Sequence, residues 1–158
     1  MEKKMSSKYI LSAGTGLKMS KEEVKDTTGK QKDGLTPVTW VDLRCTTKTI
    51  EYGGINTDEI EVTTLCSEGF KEFALGLSDP GTMSFDGHYV PEDEGQQEII
   101  KAAEDKMPRL FKVTFADGTT FETVGVVKTR SWSVPEAGGV VARKVEVRLS
   151  GKPKETVA

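Results

Sequence analysis

The sequence predicts a mainly β fold, an antiparallel β-sandwich or flattened barrel with one flanking α-helix and a mobile N-terminal arm. Short segments of alternating apolar and polar residues recur from Val38 onward, which is typical of strands that bury one face. Turn-forming residues separate these segments at short spacing, so neighbouring strands are expected to run antiparallel. A single stretch, about 92–106, has helical periodicity instead.

Length and composition fit one soluble domain. The chain has 158 residues, of which 35% are hydrophobic and 30% are charged, with a net charge of -3. Proteins that bind DNA tightly through its phosphates are normally basic, so tight DNA binding is not expected. The charge does not exclude a surface along which DNA slides without tight binding. No apolar run approaches the roughly 18 residues of a membrane span, and no signal peptide is expected after the charged start.

The first third of the chain differs from the rest, and residues 1–35 are predicted to form a flexible N-terminal arm. The run from Ser20 to Gly34 has almost no apolar residues, so burial cannot offset the entropy lost on ordering it. It is either a disordered leader or an arm that becomes ordered on a neighbouring subunit. The folded domain is expected over 36–153, with 154–158 as a loose C-terminal tail.

The segments before the helix alternate as half-buried strands do. Ile60 and Val62 share one face of one segment, and Met83 and Phe85 are expected to point inward from another. The sequence between Leu65 and Phe73 lacks this periodicity, which predicts a loop. The strands expected in this half are 38–43, a segment around 50–52, 59–63, 73–77 and 82–90.

The helix has start and stop signals. Pro91 suits its first turn, acidic residues crowd that turn where the helix dipole favours negative charge, and Pro108 ends it. Four apolar residues are expected on one helix face: Ile99, Ile100, Ala103 and Met107.

Three strands are expected after the helix, which makes seven or eight in total. Asp117 and Gly118 predict a hairpin because this pair readily adopts positive φ, and Gly125 predicts a bulge. Arg143 is expected to join or straddle the inward face of the last strand, and 151–153 is expected to end the domain. These strands are 110–115, 121–132 and 141–149, the last two joined by a turn at 135–139.

No pattern of catalytic or metal-binding residues is present, so no site residue, no cofactor and no enzyme activity are predicted. His88, the only histidine, has no nucleophile motif nearby. The acidic run 92–94, even with Asp86, lacks the ligand spacing of a calcium loop. The glycines of 14–16 lack the spacing of a nucleotide-binding loop, and a flexible linker is expected there.

The two cysteines also suggest no chemistry. Cys45 and Cys66 stand outside any metal-binding or redox motif. Reduced, semi-buried structural thiols are expected, and a disulfide is the alternative.

Five segments occur in a characteristic order along roughly the last hundred residues: Ile60–Leu65, Gly76–Phe85, Val90–Gln97, Phe111–Thr119 and Val145–Pro153. In this order, with Glu-Gly-Gln-Gln before the helix and Ser-Gly-Lys-Pro at the end, they resemble the major tail tube proteins of lambda-type siphophages. The lysine-rich stretch before Leu35 has no match in that family.

The resemblance implies a structural subunit that polymerises as stacked hexameric rings and forms the conduit for genome delivery. It implies a place in the virion tail, after synthesis and assembly in the host bacterial cytoplasm. The implied partners are identical copies, a tape measure protein inside the tube, tail tip initiator and tail terminator proteins, and double-stranded DNA that passes without tight binding. No membrane partner is expected.

In this family the N-terminal arm and a long loop between early strands contact adjacent rings, and the lumen tends to be negative. Here the arm would lie within 1–35, and the loop within 44–58 or 65–72. Two alternative functions stay open: a ring protein of a contractile tail or type VI secretion system, and a monomeric β-sandwich module that binds a ligand.

Overall fold

The computed structural model describes residues 9–158 and is mainly β with one α-helix, as predicted. Every strand pairing is antiparallel. In chain order the elements are β1 (Gly16–Ser20), β2 (Trp40–Asp42), β3 (Thr47–Tyr52), β4 (Asn56–Glu61), β5 (Phe73–Asp79), β6 (Thr82–His88), α1 (Glu94–Asp105), β7 (Arg109–Thr114), β8 (Thr120–Ser133) and β9 (Ala142–Thr156), with short 3-10 turns at Arg44–Thr46 and Leu65–Ser67.

Seven strands form one curved sheet in the order β2-β1-β7-β8-β9-β6-β3. Phe85 of β6 and Phe111 of β7 lie three strands apart in this order, yet their ring centroids are 6.4 Å apart. Such a contact requires the sheet to wrap around its own core. The barrel is not closed, because β2 and β3 remain its two borders. The other two strands, β4 and β5, pair only with each other in a separate sheet.

The concave side of the sheet holds the main core. Met83 and Phe85 point into it as predicted, and each is 1% exposed. Val145 and Val147 of β9 are fully buried beside them. Burying side chains of this size stabilises a fold by about 1.5–3 kcal/mol each, so these strands dominate the stability of the domain.

Arg143 joins the inward side of β9. Its guanidinium lies over the Phe85 ring, 5.3 Å from the centroid, and Nη2 donates a hydrogen bond to Thr47 Oγ1 at 3.0 Å. Burial lowers the pKa of Arg143, and the nearby carboxylates of Asp93 and Asp86 oppose that shift. The stem of a charged side chain therefore forms part of the core here.

The helix prediction is confirmed, and its local signals work as expected. Asp93 caps the helix by accepting a hydrogen bond from the Gln96 N–H at 3.2 Å. The Gln96 side chain then donates to the His88 carbonyl at 2.8 Å, which anchors the first turn to the end of β6. Ile99 is buried as predicted, but Met107 is 43% exposed, because the helix ends at Lys106 in a left-handed conformation.

The N-terminal part differs from the predicted arm over 1–35. Residues 16–20 form β1, which lies between β2 and β7, with Leu17 and Met19 fully buried. Val24 and Val38 then pack against the convex side of the sheet in a second, smaller core. The sequence did not predict β1, because two apolar residues in a polar segment are too few to show the two-residue alternation of a strand. Residues 1–8 lie outside the described part.

The C-terminal boundary also needs correction. The prediction that 151–153 ends the domain is wrong, because β9 continues to Thr156 and Lys154 pairs with Glu122. The Gly151–Pro153 stretch is instead an irregularity within the strand, opposite Thr123. The predicted loose tail over 154–158 is therefore mostly paired.

The predicted bulge at Gly125 is misplaced. The register shifts of β8 flank this residue, between Glu122 and Val124 and between Val127 and Thr129. Gly125 itself is paired on both sides, and a Cβ there would lie 2.4 Å from Val147 Cγ1. Glycine is required at this position by close packing.

Candidate assembly surfaces

Residues 56–79 form a projecting hairpin made of β4, a tip and β5. Nearly all of its residues are exposed, including every residue of β5. A two-stranded hairpin is at best marginally stable alone in water. Its exposed large apolar side chains are Ile60, Val62, Leu65, Phe70, Phe73, Leu75 and Leu77.

The two faces of the projecting hairpin differ. Phe73 and Leu75 share one face of β5, and Leu77 follows within a register shift between the two strands. Glu59 pairs with Leu75 and Glu61 with Phe73, which places acidic residues of β4 directly beside this apolar stripe. On the other face Ile60 packs close to the backbone of β5, within 2.9 Å of where a Cβ at position 76 would lie. The burial expected of Ile60 and Val62 is absent, since both are about half exposed.

The tip is a well-formed turn, in the place where the sequence predicts a loop. Thr64 accepts a hydrogen bond from the Cys66 N–H at 3.2 Å and donates its own N–H to Ser67 Oγ at 3.0 Å. Glu68 closes the turn in the left-handed region at φ 55°. This backbone leaves Leu65 wholly exposed and Phe70 78% exposed.

The projecting hairpin is also strongly acidic from β4 to the start of β5. The segment from Asn56 to Phe73 contains five acidic residues and one basic residue, Lys71, which gives it a formal charge of −4. The acidic residues are Asp58, Glu59, Glu61, Glu68 and Glu72. An apolar surface rimmed by charge is typical of a protein interaction site.

The borders of the seven-stranded sheet form a second surface. In the described residues β2 pairs only with β1, and β3 pairs only with β6. Each border therefore leaves backbone N–H and C=O groups on its outer side without a strand partner. Such edges are ready to pair with another chain.

The convex side of β3, β6, β9 and β8 is polar. Ser84 pairs with Glu146 of β9 and Asp86 with Lys144, and all of these side chains lie opposite the core face. Ion pairs run over the surface, with Lys128 Nζ 3.7 Å from Glu146 Oε1. Acidic and basic residues alternate here, so the surface has no strong excess of either charge.

An ion pair joins this polar surface to the base of the projecting hairpin. Arg148 Nη2 lies 2.9 Å from Asp79 Oδ2. The hydrogen bond from Arg148 and that from the Gly81 N–H lower the pKa of Asp79. The carboxylate also raises the pKa of Arg148.

A cavity of about 620 Å³, here called the mouth cavity, opens on the concave side of the sheet. Side chains from β1, β3, β6, β7, β8 and β9 line it, among them Leu17, Met83 and Phe121, with Arg44 and Lys48 also in its lining. The chain before β1 contributes Ile10, Leu11, Ser12 and Thr15. The Tyr52 and Phe121 ring centroids lie 4.7 Å apart. The remaining lining includes Ile50, Val113, Phe115 and Glu155.

Tyr52 gives the mouth cavity an unusual polar group. Its hydroxyl is buried, and no hydrogen-bond partner for it is found in residues 9–158. Burial raises the pKa of Tyr52, and the negative charge of Glu155 adds to the effect. A buried hydroxyl without a partner costs free energy.

The fold does not bring His88 and the acidic residues 92–94 together in one catalytic or metal-binding site. Asp93 caps α1, Glu94 forms an ion pair with Lys21, and His88 has its carbonyl bound to Gln96. Across the described chain, no three His, Cys, Asp or Glu side chains cluster as metal ligands do.

The cysteines and the glycines of 14–16 differ from their expected environments. Cys45 and Cys66 are both free and exposed, so the expected partial burial is wrong. Gly14 has φ 91° in a turn before β1, and Gly16 begins the strand, which replaces the expected linker.

No helix between residues 9 and 158 combines the length and the apolar character needed to cross a membrane.

Comparisons with solved structures show the same fold in phage tails and related particles. The SPP1 tail tube matches with a TM-score of 0.62 and 12% identity, over 93% of this chain and 78% of that chain. A chain of the native gene transfer agent virion matches with a TM-score of 0.61 and 13% identity, over 75% and 89%. A chain of the anti-feeding prophage baseplate matches with a TM-score of 0.64 and 7% identity, over 95% and 97%.

Sequence comparison is more specific. No curated protein sequence matches the chain. A family model described as phage tail tube, lambda-like, matches residues 20–151, from the end of β1 into β9. With most of its length covered by this model, the chain belongs to the family of lambda-like phage tail tube proteins.

Proposed function

We propose that this tail tube subunit assembles with identical copies into hexameric rings, and that the rings stack into a hollow conduit for double-stranded DNA. The observation that carries the proposal is the projecting hairpin, whose large apolar side chains remain exposed when residues 9–158 are folded. Phe73, Leu75 and Leu77 are 51%, 74% and 85% exposed. A surface of this kind stays in contact with water in a monomer, whereas a polymer buries it between copies.

Ring closure uses the borders of the seven-stranded sheet. β2 and β3 each offer one edge to a neighbour, and they lie at opposite ends of the strand order. Contacts between two different surfaces of identical copies generate a ring when the rotation closes. Closing the ring also removes the edges that would otherwise promote uncontrolled association.

The projecting hairpin makes the contact between rings. The family resemblance implies that the loop between rings lies within either 44–58 or 65–72. The turn at Leu65–Ser67 favours the second range, because it forms the tip of the projecting hairpin. The large apolar side chains of the tip are Leu65 and Phe70, both mainly exposed. Burying them on the next ring offsets the entropy lost when the hairpin becomes ordered.

The polar convex side of the sheet lines the conduit. It combines Glu51, Asp86 and Glu146 with Lys128 and other basic residues, so phosphates meet no large positive surface. The net charge of the whole chain is -3, which also weakens any grip on DNA. Such a lining lets a duplex pass without trapping it.

Further partners follow from the family. A tape measure protein inside the tube, a tail tip initiator and a tail terminator complete the assembly, which takes place in the host bacterial cytoplasm. The role is structural and involves no catalysis or cofactor.

Electron microscopy of the concentrated purified protein tests the proposal. We expect hollow tubes built of rings with six-fold symmetry. Leu75→Asp combined with Leu77→Asp is expected to prevent tube formation without unfolding the subunit, because charge at these exposed apolar positions opposes their burial. Val134→Asp combined with Val140→Asp is the matched control, since these residues are 66% and 62% exposed and lie outside the projecting hairpin. A protein that stays monomeric at every concentration contradicts the proposal.

A further inference from the structure

The mouth cavity is a built recess that lacks an occupant within the described chain. Its volume, about 620 Å³, lies in the range of roughly 300–1,000 Å³ that is usual for binding pockets. Its walls combine apolar side chains, among them Leu17, Met83 and Phe121, with polar ones. A recess of this kind stabilises a complex when apolar side chains displace its water.

Two polar features restrict what fits the recess. The buried Tyr52 hydroxyl needs a hydrogen-bond acceptor or donor that residues 9–158 do not supply. Arg44 and Lys48 outnumber Glu155 among the charged residues that line the cavity, and neither basic side chain forms an ion pair in the described structure. The occupant should therefore combine apolar side chains, backbone or hydroxyl groups and negative charge.

The tip of the projecting hairpin has this combination. Leu65 and Phe70 supply apolar bulk, and Thr64 and the carbonyl groups of the turn supply hydrogen-bonding groups. Glu68 and its acidic neighbours give residues 56–73 a formal charge of −4, opposite in sign to Arg44 and Lys48. Because Leu65 is wholly exposed in the same chain, the tip does not fill its own mouth cavity.

We infer that the mouth cavity of one subunit receives the tip of the projecting hairpin of a second copy. This inference rests on the proposed stacking role of the hairpin and identifies its receptor. Leu65 and Phe70 enter between β1 and β3, the Tyr52 hydroxyl donates to an acceptor of the turn, and Arg44 and Lys48 face the acidic flank. Each subunit then carries one tip and one receptor, so the contact repeats from ring to ring.

A charge exchange in the full-length protein tests the pairing. We expect Lys48→Glu and Glu68→Lys each to raise the concentration needed for tube formation roughly tenfold, because each places like charges in contact. The double variant, which restores opposite charges, is expected to recover most of the loss. Lys106→Glu is the control for a change of net charge, since Lys106 is exposed and does not line the cavity.

The native cysteines give an independent readout. Cys66 follows Leu65 at the tip, and Cys45 lies beside Arg44, and both thiols are exposed. A short bismaleimide is expected to link Cys45 of one copy to Cys66 of another, which mass spectrometry identifies and which either Cys→Ser variant abolishes. The link is sought both in tubes and in the concentrated soluble protein.

The outcomes separate this inference from the proposed function. Tubes that assemble normally in both single charge variants, or that contain no link between Cys45 and Cys66, overturn the receptor and leave the tube intact. A cavity filled by another segment of its own chain gives the same result. Failure of the unmodified protein to form any tube contradicts the proposed function. In that case the Cys45–Cys66 link in soluble oligomers still supports the pairing of tip and cavity, and its absence contradicts it.

Discussion

Strands β5 and β6 follow each other in the chain, and both alternate apolar and polar or small residues, yet their environments are opposite. In β6, Met83 and Phe85 are each 1% exposed, whereas in β5 Leu75 and Leu77 are 74% and 85% exposed. β6 pairs on both sides and β5 on only one. Alternation therefore indicates that a face is to be buried, but it does not indicate which copy of the chain buries it.

Deleting one aromatic ring from each region should give the largest difference in stability. Phe85→Ala is expected to lower the free energy of unfolding by about 3–5 kcal/mol, because it leaves a cavity in a closed core. Phe73→Ala removes a ring that is 51% exposed in the projecting hairpin, so its expected effect is below about 1 kcal/mol. Urea denaturation of the monomer measures both values. Equal losses would mean that the hairpin already belongs to the core.

Two glycines extend the same contrast to backbone packing. Gly125→Ala is expected to cost about 1–3 kcal/mol, because the new methyl group lies 2.4 Å from Val147 Cγ1 and 3.0 Å from a backbone oxygen. Gly76→Ala meets only the flexible end of Ile60 at 2.9 Å, which can move, so the cost is below about 0.5 kcal/mol. Thermal unfolding compares the pair, and a reversed order would contradict the assignment of a tight core and a loose hairpin.

The smallest expected effect concerns the ion pair at the end of α1. Burial opposes ionisation of Asp105, but hydrogen bonds from Arg109 and the Met107 N–H outweigh it, and the pKa of Asp105 is lowered from 3.8. Arg109 Nη2 lies 2.6 Å from Asp105 Oδ2. Because the side chain of Asp105 is 42% exposed, Asp105→Asn is expected to cost only about 1 kcal/mol at neutral pH.

The sign of this effect sets its pH dependence. A carboxyl group whose pKa is lowered by folding stabilises the protein at pH values above its unfolded pKa of about 3.8, and this stabilisation is lost as the pH falls through the folded value. The difference in melting temperature between the native protein and Asp105→Asn should therefore shrink below about pH 4. A difference that stays constant into acid would show that Asp105 acts by packing alone.

Local signals explain why much of the fold was predictable. The helix follows from Asp93 and its flanking prolines, and the turn between β7 and β8 follows from Asp117 and Gly118, where the Phe115 N–H donates to the Thr119 carbonyl at 2.8 Å. These elements depend on neighbours in the sequence. Their existence was predicted, and only their ends differ by a few residues.

Features that depend on distant residues were not predictable. β1 is held by Leu17 and Met19, whose partners lie about ninety residues later in β7, and no local period marks it. The mouth cavity joins Leu17, Tyr52 and Phe121, which are remote in the sequence. The hairpin strands themselves were predicted, but their exposure was not, because a half-buried pattern does not reveal an intermolecular partner.

Amide hydrogen exchange on the monomer and on assembled tubes tests the central claim most directly. Amides of the projecting hairpin are expected to exchange rapidly in the monomer and much more slowly in tubes. Amides of β6, already buried in one chain, should be slow in both states. Hairpin amides that exchange equally in monomer and tube would contradict the claim that a second copy completes this surface.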